Sequence, residues 1–346
     1  MVVKHIKKPL LFGNYANGGG EMAWAWWKKH HSKLAIIGSE ELSPRKEIVE
    51  KIANKISERD DNAVFWITTN KEEPGITNPD DSIKWVEEFP DPPEEYIDRE
   101  TYIENRQFFS KTYFDLLASS LNISRIDLMP LSSYKRHLEG PLMGYKRIID
   151  SLSEDHTYKE ILLNHLNLLM EVPWLKTKQG RKFIIQETDN LHVKTMSLIT
   201  AIWSFWAMTC KADQPQQMIL ILDLPKELLE QGVSDDIQSA IYEALNILTY
   251  ISSVTTTSLV FSSEMLYPIA DLNVRFKLIF KTRDSDIDLS SAENRAIINP
   301  LLNDLWDSGN HTAGYWVDSY VHDNVVVTVS EDKVEFWDDY VDADPE

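Results

Sequence analysis

The sequence predicts an α/β fold in which a mostly parallel central sheet is flanked by helices. Continuous apolar runs such as Lys33–Gly38 and Met218–Asp223 are typical of strands that are buried on both faces. Segments such as Pro44–Ile56, with apolar residues at a spacing of four, alternate with these runs, as expected when helices connect parallel strands. A long helical pattern over residues 96–170 predicts an all-helical insertion that divides this domain.

The N-terminal part of the α/β domain is predicted in residues 1–95. Its helix has Ile48, Ile52 and Ile56 on one face, and a proline is acceptable in its first turn. Because strands precede and follow this helix, we expect a βαβ unit with parallel pairing and a right-handed crossover. The predicted strands are Pro9–Phe12, Lys33–Gly38 and Ala63–Thr68.

Residues 71–95 are rich in proline and acids and are predicted to form a surface loop, which leads into the helical insertion over 96–170. The C-terminal part of the α/β domain spans 171–330 and is followed by an acidic tail, 331–346. Aromatic residues among the acids of the tail suit docking into a basic groove, and a solvated tail that aids solubility is the alternative. The predicted elements of the C-terminal part are the strands Lys182–Gln186, Met218–Asp223, Ser258–Ser262 and Val274–Phe280, the helices Lys194–Thr209 and Ser234–Ser252, and a closing hairpin within Tyr315–Val329.

Composition limits the classes of function. The chain has 346 residues, 43% of them hydrophobic, which excludes bulk intrinsic disorder. Its formal net charge of −20 excludes DNA binding by overall electrostatics, so any DNA contact is expected to be indirect or confined to a local patch. A single cysteine, Cys210, excludes internal disulfides and favours a cytoplasmic location. The longest apolar stretch, Leu198–Met208, is too short to span a membrane, and the scattered histidines predict no metal site.

An open parallel sheet binds its ligands at the carboxyl ends of its strands, and Asp223 ends the run Met218–Asp223. An aspartate at this position holds magnesium in P-loop NTPases, which makes Asp223 a candidate catalytic and cofactor-binding residue. Aspartates also end buried strands as turn or cap residues, so a structural role is the alternative. Glu227 is the candidate catalytic acid if the chain is an ATPase, although Pro225 displaces it from the position next to Asp223.

The elements after Asp223 come in an informative order. A helix follows, then a strand rich in Ser and Thr within Thr255–Ser263, then a strand and an Asp-containing turn within Val274–Ile287. Together with the early strand Lys33–Gly38 and the helical insertion, this order resembles the RecA-like motor domain of the FtsK, HerA and type IV secretion coupling-protein superfamily. The resemblance covers residues 33–329 and rests on element order and hydrophobic pattern. It implies a RecA-like fold, a ring or a mixed assembly with active ATPases, and DNA as cargo.

The phosphate-binding loop of that superfamily falls at Gly38–Arg45, where the sequence departs from the Gly-x-x-x-x-Gly-Lys-Ser/Thr pattern. Gly38 holds the first glycine position, but Ser43 holds the second. Pro44 stands at the lysine position and Arg45 at the hydroxyl position. Glutamates inside the loop would also repel a polyanion. The sequence therefore predicts no bound cofactor, and ATP with Mg²⁺ is expected only if another basic residue supplies the phosphate charge.

A second loop is an alternative phosphate site. Lys194 and Thr195 are adjacent, follow a predicted strand and precede a helix, as in a phosphate-binding loop. The loop lacks both glycines, and a helix N-cap at Asp189 or Asn190 explains the same residues without a ligand.

Two further clusters are candidates for contacts with macromolecules. Trp24, Trp26 and Trp27 lie on a short segment before the first well-defined strand and are candidate contacts with a protein partner, since tryptophan is enriched at interfaces. A place in the core and stacking on nucleic-acid bases are the alternatives. Arg275 and Lys277 alternate along a predicted strand and would form a basic patch for nucleic acid on one face.

These observations predict a degenerate motor-type subunit of a DNA-transfer or DNA-translocation assembly, with a structural or regulatory role instead of ATP hydrolysis. We expect protein partners, either in a homo-oligomer or in a hetero-oligomer with active ATPases. Two alternatives are an active ATPase with an unorthodox loop, in which Lys194 or Arg45 supplies the phosphate charge, and a protein–protein interaction scaffold.

Overall fold

The computed structural model describes both parts of the α/β domain and little of the predicted insertion. The chain forms two units, each of which combines segments distant in sequence. The first contains Met1–Val64, Pro215–Lys226 and Thr256–Glu346, and the second contains Phe65–Gln214 and Glu227–Thr255. The described residues are 8–15, 20–28, 31–59, 62–69, 149–150, 159–160, 163, 174–176, 180–185, 187–209, 217–230, 232–255, 257–269, 272–282, 305, 309, 311–317, 325–329 and 334–337.

Strands and helices follow one another along the described chain in an order close to the predicted one. Within the described residues, no helix is long and apolar enough to cross a membrane. The strands are β1 (Leu10–Tyr15), β2 (Glu21–Trp24), β3 (Lys33–Ile37), β4 (Asn62–Thr68), β5 (Leu175–Lys176), β6 (Arg181–Ile184), β7 (Gln217–Asp223), β8 (Thr257–Ser263), β9 (Phe276–Ile279), β10 (Thr312–Val317), β11 (Val325–Val329) and β12 (Glu335–Phe336), and the helices are α1 (Arg45–Ser57), α2 (Leu191–Thr209) and α3 (Asp235–Val254).

The first unit is built on a mixed sheet. Its neighbouring strands follow the order β12-β1-β11-β10-β9-β3-β8-β7, and β2 pairs with β1. Strands β9, β3, β8 and β7 are parallel to one another, and the other pairs are antiparallel. Leu34 of β3 lies opposite Val260 of β8 and Phe276 of β9, so both edges of β3 are paired. Strand β3 therefore lies inside the parallel part of the sheet, where its continuous apolar sequence is buried.

Helix α1 follows the loop after β3 and buries the face that the sequence predicts. Ile48, Ile52 and Ile56 are all buried, and the helix contacts β3 and β8. It begins at Arg45, directly after Pro44, because the fixed φ of proline suits the start of a helix. One expectation is wrong: β8 and β9 occupy both edges of β3, so the predicted βαβ unit does not bring β3 and β4 into direct pairing.

In the second unit, β4 pairs in parallel with β6 along Phe65–Thr68, and β5 pairs with β6 in antiparallel. Helix α2 packs against α3 and begins at Leu191, slightly before its predicted start. The cause is a side-chain cap. The Oδ1 of Asn190 accepts hydrogen bonds from the N–H of His192 at 3.1 Å and the N–H of Val193 at 3.3 Å.

The core of the second unit is rich in aromatic rings. Trp174 makes edge-to-face contacts with Phe65 and Phe183, at ring-centre distances of 5.6 Å and 5.5 Å. The indole N–H of Trp174 donates to the hydroxyl of Ser204 on α2 at 3.0 Å. The helix is therefore fixed to the strands by packing and by a satisfied buried polar group.

The C-terminal segment completes the sheet of the first unit. Strands β10 and β11 pair as the predicted closing hairpin. Strand β12 lies within the predicted acidic tail and pairs with β1. Val334 is buried there, and the guanidinium of Arg59 lies 5.3 Å from the ring centre of Phe336. This part of the tail is therefore a strand and not a solvated extension, because it pairs with β1 and Val334 beside it is buried.

The predicted surface loop, 71–95, lies outside the described residues, and so does most of the predicted insertion, 96–170. The described parts of the insertion, residues 149–150, 159–160 and 163, are helical.

Candidate functional site

The carboxyl ends of β3, β7 and β8 lie side by side in the first unit. Asp223, the last residue of β7, lies opposite Ser262 of β8. The N–H of Gly38, directly after β3, donates to the carbonyl of Ser263 at 3.0 Å. The loop Gly38–Arg45 and the side chain of Asp223 therefore share the edge of the sheet at which parallel α/β folds bind their ligands.

The loop Gly38–Arg45 folds back on its own first residues. The hydroxyl of Ser43 donates to the carbonyl of Ser39 at 2.7 Å, and the N–H of Leu42 donates to the same carbonyl at 3.2 Å. A Cβ atom on Gly38 would lie 2.5 Å from the Oγ of Ser43 and 2.8 Å from the Cβ of Phe280. The position therefore accepts only glycine without rearrangement, because the side chain of Ser43 fills the space above it.

The side chain of Arg45 turns back from the start of α1 to the ends of β7 and β8. Its Nη1 donates to Oδ1 of Asp223 at 2.9 Å and to the hydroxyl of Ser262 at 2.5 Å, and that hydroxyl donates to the same Oδ1 at 2.8 Å. Its Nη2 lies 3.9 Å from Oε1 of Glu264. The Arg45 side chain is only 3% exposed, against 18% for Asp223 and 20% for Glu264. The guanidinium is thus a buried cation held mainly by one carboxylate and one hydroxyl.

A second ion pair lies at the exposed side of the loop. Lys46 donates a hydrogen bond to Glu40, and both side chains are partly exposed. This hydrogen bond holds the pKa of Glu40 below its ordinary value, and the positive charge of Arg45 contributes in the same direction. Glu40 therefore adds a negative charge next to the loop at neutral pH.

The family resemblance implies ATP and Mg²⁺, and the residues of the loop do not fit them. Pro44 provides neither an N–H nor a positive charge at the lysine position. Ser43 fills the space above Gly38. The guanidinium of Arg45 is hydrogen-bonded to the carboxylate oxygen of Asp223 that would otherwise face a metal ion. Among the described residues, no three or more His, Cys, Asp or Glu side chains are grouped so as to hold a metal ion.

The structure gives the predicted second loop a structural role. Thr195 is buried, and its hydroxyl donates to the carbonyl of Leu191 at 2.7 Å within α2. The Nζ of Lys194 lies 3.7 Å from Oε2 of Glu227, whose side chain is mostly exposed. Asn190 caps the helix, as the alternative interpretation predicts. The hydroxyl of Thr195 is thus bound within its own helix and Lys194 lies near a carboxylate of another segment, and a phosphate site at these two residues stays a prediction.

The tryptophan cluster is part of the core of the first unit. Trp24 and Trp26 are buried, and the indole N–H of Trp24 donates to the carbonyl of His31 at 2.5 Å. The carbonyl of Trp26 accepts from the hydroxyl of Ser258 at 2.6 Å. Trp27 is half-buried, and its ring makes an edge-to-face contact with the ring of Trp26 at a ring-centre distance of 5.7 Å. The expectation that all of them face a partner is corrected for Trp24 and Trp26, because their rings pack inside their own unit.

The predicted basic patch is not present on one face. Arg275 is exposed, with its guanidinium 5.5 Å from the ring centre of Phe276, and it lies before β9 begins. Lys277 is fully buried, and its Nζ donates to the carbonyl of Val274 at 2.5 Å. The alternation rule for strands does not extend to a residue outside the strand, so it does not place Arg275 on the face of Lys277.

Arg45, Asp223, Ser262 and Glu264 form a cluster at the strand ends, and two of its members were not among the sequence-predicted site residues. Ser262 and Glu264 lie at the end of β8, which the sequence indicates only as a Ser- and Thr-rich strand. Charge is the signal that could have indicated Glu264. A basic residue at the hydroxyl position of the loop needs an acidic partner, and Asp223 and Glu264 both lie at strand ends beside it.

Comparison with known proteins agrees with the order of elements. No protein-family model matches the sequence, and no curated protein sequence matches it. The solved structure of VirB4 of Thermoanaerobacter pseudethanolicus is similar over 94% of this chain and 97% of its own, with a TM-score of 0.56 and 12% sequence identity. The cytoplasmic domain of the type VII secretion ATPase EccC of Thermomonospora curvata is matched over 98% of this chain and 30% of its own, with a TM-score of 0.36 and 10% identity. The likeness to VirB4 confirms the predicted fold class, and the chain has a RecA-like α/β fold.

Proposed function

We propose that the chain is a motor-type subunit of a DNA-transfer or DNA-translocation assembly, in which it has a structural or regulatory role and does not hydrolyse ATP. The observation that carries this proposal is the closed loop Gly38–Arg45, which lies where motor ATPases of this fold bind phosphates. The RecA-like fold supports the motor-type origin. The resemblance of the sequence to the FtsK, HerA and coupling-protein superfamily supports membership of an assembly.

The closed loop opposes nucleotide binding for a simple reason. A phosphate-binding loop needs N–H groups that point into an open cradle and a lysine that neutralises phosphate charge. Here the N–H of Leu42 and the hydroxyl of Ser43 both donate to the carbonyl of Ser39, so these donors serve the backbone of the loop. Pro44 adds no donor and no charge. A nucleotide would have to break these bonds and would gain no lysine contact in return.

The charge of the chain bears on how it would contact DNA in such an assembly. With a net charge of −20, the chain gains nothing from bulk electrostatic attraction to DNA. Contact with DNA is therefore proposed to be indirect or confined to a local patch, within a homo-oligomer or a hetero-oligomer with active ATPases. A cytoplasmic location belongs to the same proposal and is supported by the single cysteine.

The test compares the wild-type chain with a variant in which the loop pattern is restored, Ser43→Gly with Pro44→Lys and Arg45→Thr. Magnesium-dependent ATP turnover and binding of a fluorescent ATP analogue are measured for both, with Asp223→Ala as the control for background turnover. We expect no turnover and no analogue binding by the wild type, and analogue binding by the restored variant, because it regains the N–H, the lysine and the hydroxyl.

Turnover by the wild type that disappears in Asp223→Ala would show that the chain is an active ATPase with an unorthodox loop. Absence of turnover, together with no binding to DNA and no change in the activity of an intact motor ATPase mixed with the chain, would favour the interaction scaffold instead.

A further inference from the structure

The cluster around Arg45 contains more negative than positive charge. Asp223 and Glu264 lie within ion-pair distance of the guanidinium. Glu40 interacts electrostatically with Arg45 and shares a hydrogen bond with Glu264. Lys46 is bound to Glu40 on the exposed side, whereas Arg45 contacts the carboxylates of Asp223 and Glu264. Arg45 is therefore a cation that balances the charge of the inner carboxylates.

The ligands of the guanidinium are oxygen atoms of the kind that hard divalent cations prefer. Nη1 of Arg45 contacts a carboxylate oxygen of Asp223 and the hydroxyl of Ser262 at once, and these two oxygens also contact each other. Carboxylates and hydroxyls are typical ligands of Mg²⁺ and Mn²⁺. The side chain of Arg45 thus places a positive charge among these oxygens from within the chain.

We propose that the Arg45 guanidinium acts as a built-in cation that takes the place of a divalent metal ion between Asp223, Ser262 and Glu264, so that removing it uncovers a site for Mg²⁺ or Mn²⁺. The inference rests on the proposed function, since it concerns the same edge of the sheet, and it predicts that the wild-type chain does not bind magnesium there. The evidence for this inference is the set of contacts that Arg45 makes, whereas the evidence for the proposed function is the closed form of the loop Gly38–Arg45.

The test needs no nucleotide. The melting temperature of the full chain is measured in EDTA and in about 10 mM MnCl₂ or MgCl₂, at equal ionic strength, for wild type, Arg45→Ala and Arg45→Lys. We expect Arg45→Ala to melt lower than wild type in EDTA and to rise by about 2–4 °C with the metal, as for a ligand at about ten times its Kd. Wild type and Arg45→Lys, which keep a cation in the cluster, are expected to show no such rise. Adding Asp223→Asn to Arg45→Ala is expected to remove the rise.

A folded Arg45→Ala variant without a metal-dependent rise would overturn the inference. So would a wild-type chain that is stabilised by the metal as much as Arg45→Ala. If Arg45→Ala does not fold in EDTA, refolding from urea with the metal present is expected to recover the wild-type circular dichroism spectrum, and failure to do so counts against the inference. ATP hydrolysis by the wild type would defeat the proposed function without affecting this result, because the measurement contains no nucleotide.

Discussion

Arg45 and Asp223, 178 residues apart in the chain, form an ion pair in which Nη1 of Arg45 lies 2.9 Å from Oδ1 of Asp223. The pair joins the first residue of α1 to the last residue of β7. Because the guanidinium is nearly inaccessible to water, either partner without the other would leave a charge in a place of low polarity. Substitutions in this pair are therefore expected to change the free energy of unfolding of the chain.

Replacing Asp223 by Asn should destabilise the chain strongly. The substitution keeps the shape of the side chain and removes the charge that balances Arg45. Removing one partner of a fully buried pair costs about 3–5 kcal/mol, and the partial exposure of Asp223 brings the expected loss to about 2–3 kcal/mol. The measurement is the free energy of unfolding in urea.

The matched control is Glu40→Gln, which removes the charge of an exposed pair in the same unit. Exposed pairs contribute about 0–1 kcal/mol, so the control is expected to unfold near the wild-type urea concentration. Equal losses for the two variants would contradict the assignment of Arg45 as a buried cation.

Replacing Gly38 by Ala should strain the closed loop. The added Cβ would lie 2.5 Å from Oγ of Ser43 and 2.8 Å from Cβ of Phe280, so the loop must shift, at a cost of about 1–3 kcal/mol in the free energy of unfolding. Gly309→Ala is the control, since nothing lies within 4 Å of its Cβ position. The cost at Gly38 is expected to fall when Ser43 is also changed to Gly. An unchanged cost in that double variant would show that the loop is not closed by Ser43.

Tyr315 should make stability sensitive to alkaline pH. Burial raises its pKa well above the ordinary value, and the neighbouring Tyr15 adds to the effect. Above a pH of about 10 the unfolded chain loses the phenolic proton while the folded chain keeps it, so stability falls as the pH rises, by up to about 1.4 kcal/mol per pH unit. Tyr315→Phe keeps the ring, which stacks on Phe276 at 6.0 Å, and removes the proton.

The measurement is the free energy of unfolding in urea of wild type and of Tyr315→Phe, at pH values from about 9 to about 11.5. We expect the wild type to lose stability relative to the variant as the pH rises across this range. A difference that is independent of pH across this range would mean that Tyr315 ionises as readily in the folded chain as in the unfolded one.

Truncation after Ser330 should destabilise the first unit and not only change its charge. It removes Val334, which is buried, and the N–H of Trp337, which donates to the carbonyl of Pro9 at 2.9 Å. It also removes Phe336 from its contact with Arg59. Burying a side chain of this size contributes about 1.5–3 kcal/mol, so the expected loss is about 2–4 kcal/mol. Truncation after Trp337 keeps all of these contacts and is expected to lose less stability than truncation after Ser330 in the same urea titration.

The strands around the site were predictable because their sequences leave few choices. A continuous apolar run such as that of β3 or β7 is too short for a buried helix and too apolar for a surface strand. Helix α1 was predictable from the spacing of Ile48, Ile52 and Ile56. The neighbours of β3 were not, because pairing between distant segments depends on the whole sheet and not on the local pattern.

Side-chain direction is what the sequence could not provide. The pattern identified Arg45 as a departure from the phosphate-loop motif, but nothing in it showed that the guanidinium turns toward Asp223 and Ser262. Trp24 and Trp26 illustrate the same limit, since an aromatic cluster has the same sequence whether it lies in a core or at an interface. The error at Lys277 came from applying strand alternation to Arg275, which precedes the strand.

The arrangement of β3 has a consequence for how the protein is made. Leu34 pairs with Val260 and Phe276, so a ribosome that has released β3 must still synthesise most of the described chain before either neighbour exists. Until then an apolar strand has two unpaired edges, which is the condition under which nascent chains aggregate or are held by chaperones. Translation products that stop before β8 are therefore expected to be retained by chaperones or degraded, whatever becomes of the second unit.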